Sequence, residues 1–290
     1  MSTPFTRVQL YEIQTPNEAE ALLELGVDHI GSVILSAARW QDAAIRDTVR
    51  LARTAGARSS LIPLFSTTAA VMGMLDFYRP DIVHFCDALS DADGPLEKCR
   101  ELVTLQLQVR KNFPEIAIMR SIPIGPPGQA RHVPTLALAA LFEPVSDYFL
   151  TDTLLIQRIE NTGPAVQPVT GFIGITGRTC DWTMARRLVD NAGIPVILAG
   201  GISPDNVVEG LRQVGPAGVD SCTGTNARDD SGNPIRFKKD FGRVRRLVDA
   251  VRRFDARRPD DDLPAGNADA PKAAAASTRQ KDKEDKRVDA

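Results

Sequence analysis

Several absences narrow the field before any motif is read. The 290-residue chain contains no apolar run approaching the roughly 20 residues that cross a bilayer. None of its four cysteines, Cys86, Cys99, Cys180 and Cys222, belongs to a CxxC pair, so reduced thiols are expected over a disulfide framework or a zinc site. Charge of one sign is missing too. Thirty-five Lys and Arg face 37 Asp and Glu, a net charge of -2, which gives no electrostatic reason to expect nucleic acid. The opening MSTPFTRVQLYEIQ lacks a basic segment followed by an apolar one, and a cytoplasmic location is expected. No His/Asp/Glu cluster has ligand spacing, so no metal is expected. From about Arg257 onward there is one Leu, one Val and no aromatic, too little apolar surface to offset the entropy of ordering. The expected organisation is one domain over residues 1–256 and a disordered tail over 257–290.

Within the domain, short β-branched runs alternate with helical patterns, the signature of repeated βα units. Strands are expected at Val8–Ile13, His29–Leu35, Ser59–Phe65, Asp81–Cys86, Glu115–Ile122, Asp147–Asp152, Pro195–Ala199 and Gly218–Cys222, each followed by a helix. An open doubly wound sheet would carry a glycine-rich turn after its first strand, whereas here YEIQTPNEAE has no glycine. The glycine-rich turns come after strands six, seven and eight. Late turns of this kind fit a closed (β/α)8 TIM barrel, whose phosphate site commonly lies after strands seven and eight.

Barrel chemistry sits at the carboxyl ends of the strands. Strand seven ends in Leu198-Ala199-Gly200-Gly201, and strand eight runs into Thr223-Gly224-Thr225. Glycines let a backbone approach an anion, and free N–H groups at a helix start favour negative charge. The blander reading is a tight turn with Ser203 as helix cap. Asp152, where strand six ends, is either a capping residue or an acid/base group. Asp181 reads as the cap of the helix DWTMARRLV, and Arg178 as a substrate clamp or a surface residue. His29 lies at the foot of strand two, where residues serve stability. His132 lies in the loop PIGPPGQARHVP, which is either a lid or a longer surface connection.

The segments Phe149-Leu150-Thr151-Asp152, Gly174 to Trp182, Pro195 to Gly201 and Gly218 to Gly224, with Lys239-Asp240 beyond, resemble the phosphoribosylanthranilate isomerase family. The resemblance is good from about Asp147 to Phe254 and weaker before it, where Ser36-Ala37-Ala38-Arg39 and Asp81-Ile82-Val83 match. It implies a cofactor-free aldose-to-ketose (Amadori) rearrangement of an N-linked ribose phosphate in tryptophan biosynthesis, for which one acid and one base suffice. Asp152 matches the family's general acid, and Arg39 the arginine that meets the anthranilate carboxylate. Arg178 and His84 are further substrate-binding candidates. Gly177, Gly200, Gly201, Ser221, Thr223 and Gly224 are the candidate phosphate cradle. The family's strand-one cysteine, its general base, is replaced by Tyr11, and a phenol with a pKa of about 10 is a poor base at neutral pH. Glu12 turned inward, Cys86 or His84 from strand four, or a tuned Tyr11 are the candidate replacements.

Three functions share this fold and cradle. The first is an intramolecular oxidoreductase of the phosphoribosylanthranilate isomerase kind. The second is a related barrel enzyme acting on another sugar phosphate. The third is a non-catalytic phosphosugar-binding protein. In each, the partner is a small phosphorylated sugar, without nucleic acid or membrane, and the chain is a monomer or homodimer.

Overall fold

In a computed structural model that describes residues 5–91, 94–155 and 167–257, eight parallel strands close into a barrel. They are β1 (Arg7–Leu10), β2 (His29–Ile34), β3 (Arg58–Pro63), β4 (Ile82–Phe85), β5 (Ala117–Ile124), β6 (Tyr148–Thr153), β7 (Val196–Leu198) and β8 (Gly218–Ser221). Closure is made by β1 on β8, with Arg7 opposite Gly218 and Leu10 opposite Ser221. Eight α-helices follow the strands: α1 (Pro16–Glu24), α2 (Ala43–Thr54), α3 (Thr68–Tyr78), α4 (Cys99–Asn112), α5 (Thr135–Phe142), α6 (Trp182–Asn191), α7 (Val207–Val214) and α8 (Phe241–Asp255). The expected strands are all present, with ends displaced by at most three residues. The tail expected beyond residue 257 lies outside the described residues.

Local chemistry sets the helix starts. Asp42, Asp181 and Asp240 accept backbone N–H bonds at the starts of α2, α6 and α8. The helix after Gly200-Gly201 begins later than expected. Ser203 is not its cap; α7 starts at Val207 behind a turn in which Asn206 Oδ1 accepts from Ser203 N. Two antiparallel hairpins, Ser90–Asp91 with Gly94–Pro95 and Asn226–Arg228 with Pro234–Lys239, were not expected. Three of these strands are only two or three residues long, and in the fourth, Pro234–Lys239, the alternation is carried by Ile235 and Phe237 alone, too short a run to signal a strand.

Outward-facing strand residues such as Leu10, Ile30, Phe149 and Val219 pack under the helices in a continuous apolar shell. The barrel interior is different. Met119, Leu150, Ile197 and Ala199 share it with Gln9, His29, Ser60, His84, Ser121 and Asp220, all buried. Buried polar groups persist where they find partners, and here they form two connected sets described below. No helix among the described residues is long and apolar enough to cross a membrane.

Candidate active site

A cleft with an empty volume of about 760 Å³ opens at the carboxyl end of the barrel. It has two ends. Gly177, Gly200, Gly201, Thr223 and Gly224 line one; Val33, Ile62, Leu64, Val169 and Phe172 line the other. Between them stand Asp152 and Asp220, with Tyr11, Glu12, His84 and Cys86.

The glycine end is built by backbone alone. Gly200 and Gly201 have φ of 84° and 65°, and a Cβ on Gly201 would lie 2.6 Å from the Arg178 carbonyl carbon and from Thr179 N. A Cβ on Gly224 would meet the Ile202 carbonyl at 2.1 Å, and one on Gly177 the Thr223 methyl at 3.3 Å. The turns after β6, β7 and β8 therefore interlock at distances that only glycine tolerates. The Gly177, Gly200 and Gly201 amides have no hydrogen-bond partner among the described residues. Among the described residues, no Lys or Arg lines the cleft. Such a concavity suits an anion held by N–H groups.

Residues 169–177, part of the segment between β6 and α6, border the mouth. Ile173 N bonds to the Cys86 carbonyl at 2.9 Å, Ala88 N to the Gly171 carbonyl at 2.9 Å, and Phe172 bridges to Asp87. Gly174, with φ 103°, passes so close to Asp152 that a Cβ there would lie 2.4 Å from its Oδ2. Burial beneath this segment pushes the Asp152 carboxyl up to about 7, against the Thr153 amide that bonds it at 2.9 Å. Burial raises Asp220 to about 7 as well; the Gln9 hydrogen bond opposes this and the Asp152 charge adds to it. At neutral pH the two carboxyls can hold one proton between them, an acid beside a base.

The other titratable groups are held in unreactive states. Tyr11 Oη bonds to Ser60 Oγ at 2.5 Å and to His84 Nδ1 at 2.8 Å, and His84 Nε2 to Ser121 Oγ at 2.8 Å. Burial and then the Asp220 charge push the Tyr11 phenol well above its ordinary range, away from basicity. Burial, with the Arg120 charge, drops His84 to about 3, so the ring is neutral. Burial, with the Asp87 and Asp152 charges, raises the Cys86 thiol well above its usual value. Glu12 has φ 69°. Burial alone would raise it, but the Arg236 hydrogen bond and charge, Phe237 N and Asn226 Nδ2 bring it below the carboxylate norm. A carboxylate so engaged is a weak base.

The family model described as N-(5'phosphoribosyl)anthranilate (PRA) isomerase matches residues 152–228, which carry Asp152, Asp220 and the whole cradle. An N-(5'-phosphoribosyl)anthranilate isomerase of Methanocella arvoryzae is 28% identical over 256 residues, 85% of this chain and 98% of that one. Over residues 152–228 the chain is similar to the phosphoribosylanthranilate isomerase family. A second relative, N-(5'-phosphoribosyl)anthranilate isomerase 2 of Methanosarcina mazei, is 34% identical over 148 residues, 49% of this chain and 58% of that one. The solved Pyrococcus furiosus isomerase superposes with a TM-score of 0.56 at 16% identity, over 86% of this chain and 99% of that one, a likeness of fold.

Against the phosphoribosylanthranilate isomerase pattern, the structure gathers most of the expected side chains and leaves three outside. Arg39 is exposed and does not line the cleft: Trp40 is drawn to α3, its carbonyl bonded by Tyr78 Oη at 2.5 Å and its ring edge-on to Phe77. Arg178 is likewise exposed; its carbonyl, bonded by Thr153 Oγ1 at 2.7 Å, rather than its guanidinium, shapes the cradle. Ser221 faces away from the cleft and donates to the Ile202 carbonyl at 2.7 Å, bracing the cradle from behind. The loop bearing His132 is not the lid; His132 is exposed beside Arg131, and residues 169–177 border the mouth. Sequence reasoning gave Asp220 no role. Its signal lay in parity: the ladders put Asp220 level with Gln9, an inward position, and two residues before Cys222 in the cleft wall.

Proposed function

We propose that the protein isomerises N-(5'-phosphoribosyl)anthranilate to its open-chain ketose, with Asp152 as general acid and Asp220 as general base. The observation that carries this reading is the enclosure of two carboxyls, both raised to about 7, in the cleft whose far wall is the glycine cradle. Phosphate in the cradle directs the aromatic ring toward Val33, Ile62, Leu64 and Phe172 and sets the ribose between the carboxyls. The acid form of Asp152 protonates the ring oxygen as the nitrogen lone pair opens the C1–O bond, leaving an iminium. Ionised Asp220 then takes the C2 proton, and the electrons of that C–H bond form the C1–C2 double bond. Ketonisation adds a proton at C1 and removes the one on the C2 hydroxyl, so product and substrate are isomers. The reaction requires a cytoplasmic metabolite pool and no second macromolecule, whether the chain acts as a monomer or a homodimer.

Loss of substrate fluorescence tests this. The parent should turn over phosphoribosylanthranilate, and Asp152→Asn and Asp220→Asn should each lower turnover by at least about a hundredfold; full activity in either variant overturns the assignment of that residue. A second reading is favoured by one observation, that neither Arg39 nor Arg178 reaches the cleft. On that reading the substrate is a phosphosugar without an aromatic carboxylate, and turnover of such a compound with none of phosphoribosylanthranilate would establish it.

A further inference from the structure

The second polar set in the barrel interior runs from the cleft toward the opposite end. Asp220 Oδ1 lies 3.3 Å from Gln9 Nε2, and Gln9 Oε1 lies 3.0 Å from His29 Nδ1. Gln9 Nε2 also faces Met119 Sδ at 3.8 Å. All three residues are buried, and His29 lines a groove at the amino-terminal end of the barrel with Asp28 and Arg58. The atoms fix the orientation of the amide. A carboxylate and a thioether are both acceptors, so the NH2 group of Gln9 belongs on their side and its oxygen on the side of His29. His29 Nδ1 then carries a proton. Turned over, the amide would set its oxygen against the carboxylate, two acceptors face to face in a buried site.

We propose that His29 is a positioning residue which, by donating from Nδ1 to Gln9 Oε1, holds the Gln9 amide in the one orientation that donates to Asp220. The proposal rests on the reading of Asp220 as general base for its consequence in turnover, though not for its geometry. The charged and titratable groups that face Asp220 are Asp152 from β6, Lys239 from the hairpin beyond β8, Tyr11 from β1 and Cys222 beyond β8. None of them touches the Gln9 oxygen, so the hold on the amide comes from His29. The Gln9 bond opposes the rise that burial imposes on Asp220. Losing it moves Asp220 further up, and the base is then protonated over more of the pH range.

The experiment follows the Asp220 carboxyl carbon by 13C NMR titration, its resonance identified by its loss in Asp220→Asn. In His29→Phe, which keeps the ring volume without the donor, the midpoint should rise by about one unit, the low end for a hydrogen bond to a charged group. Gln9→Met should give the same rise, and the double variant no more than either single one. His29→Asn, which restores an N–H near the same place, should return the midpoint to the parental value. The acid limb of kcat/KM should move with the midpoint, about tenfold down at one pH unit below it, while thermal protection by ribose 5-phosphate stays as in the parent. An unmoved midpoint in a folded His29→Phe, or in His29→Leu should the first not fold, overturns the proposal; so does a double variant that sums the two shifts. If the midpoints shift as stated but Asp220→Asn retains activity, the base assignment fails and the positioning role stands.

Discussion

The two ends of the cleft are built on opposite principles. At the glycine end, proposed above to take the phosphate, four glycines and Thr223 from the turns after β6, β7 and β8 make a concave surface of main chain, and at Gly201 and Gly224 there is no room for a Cβ. At the apolar end, proposed above to take the substrate's ring, Val33, Ile62, Leu64, Val169 and Phe172 make a wall of side chains from β2, the β3 end and the segment before α6, where shape can be met in many ways. Backbone recognition leaves a mark in sequence because a Cβ at 2.1 Å or 2.6 Å from a carbonyl cannot be accommodated. Side-chain recognition leaves little. The family model accordingly covers residues 152–228, the stretch that carries the cradle.

Between the two ends, the carboxyl pair gives the largest expected effects. Asp152→Asn should lower kcat/KM by about 10³–10⁴-fold, the upper range for general acid catalysis, and Asp220→Asn by about 10²–10³-fold. The parent's kcat/KM should be bell-shaped around pH 7, since Asp220 protonates on the acid side and Asp152 ionises on the alkaline side. Stability should run the other way. The folded-state pKa of Asp152 lies above its ordinary 3.8, so its burial costs nothing below that pH and progressively more up to about 7. Asp152→Asn should therefore melt higher than the parent at pH 8, by up to about 4 kcal/mol in stability, and equal it below pH 4. An Asn variant no more stable at pH 8 would show that Asp152 is not desolvated as described.

Gly201→Ala probes the phosphate end directly. A left-handed φ of 65° and a Cβ 2.6 Å from main-chain atoms force the β7 turn to move. KM should rise at least tenfold, on the order of 1.4 kcal/mol of binding, with kcat within about threefold of the parent. The same substitution should cost on the order of 1–3 kcal/mol of stability by thermal unfolding. A parental KM would mean that the cradle does not hold the phosphate.

The same contrast governs what could be read in advance. The eight strands and their helices were legible because periodicity and caps are local, and the cradle because glycine is demanded one residue at a time. The two hairpins were not, their strands being too short to carry a pattern. Asp220 was written in the motif but its role depends on parity, on Gln9 across the β1–β8 seam and on burial, none of which is local. Arg39 was misplaced for the converse reason. Its segment reads like a binding loop, and only the packing of Trp40 on Phe77 and Tyr78 shows that it turns away.

Tyr11→Phe carries the smallest expected effect on turnover and the sharpest bearing on the divergent end. Tyr11 stands where the family pattern has its cysteine, and the strand accommodates it through Gly31, where a Cβ would lie 2.2 Å from the Tyr11 ring. The ring thus fills the space beneath the ribose site, with its hydroxyl tied to Ser60 and His84. Removing the hydroxyl leaves two buried groups short of a partner, which should cost about 1–2 kcal/mol of stability. Turnover should fall no more than about threefold, because a phenol whose proton burial holds so firmly is a wall and not a base. Should kcat/KM instead fall a hundredfold in a variant that folds and keeps its KM, Tyr11 would be a member of the proton-transfer machinery, and the division between the acid–base centre and the apolar end would have to be drawn on the other side of β1.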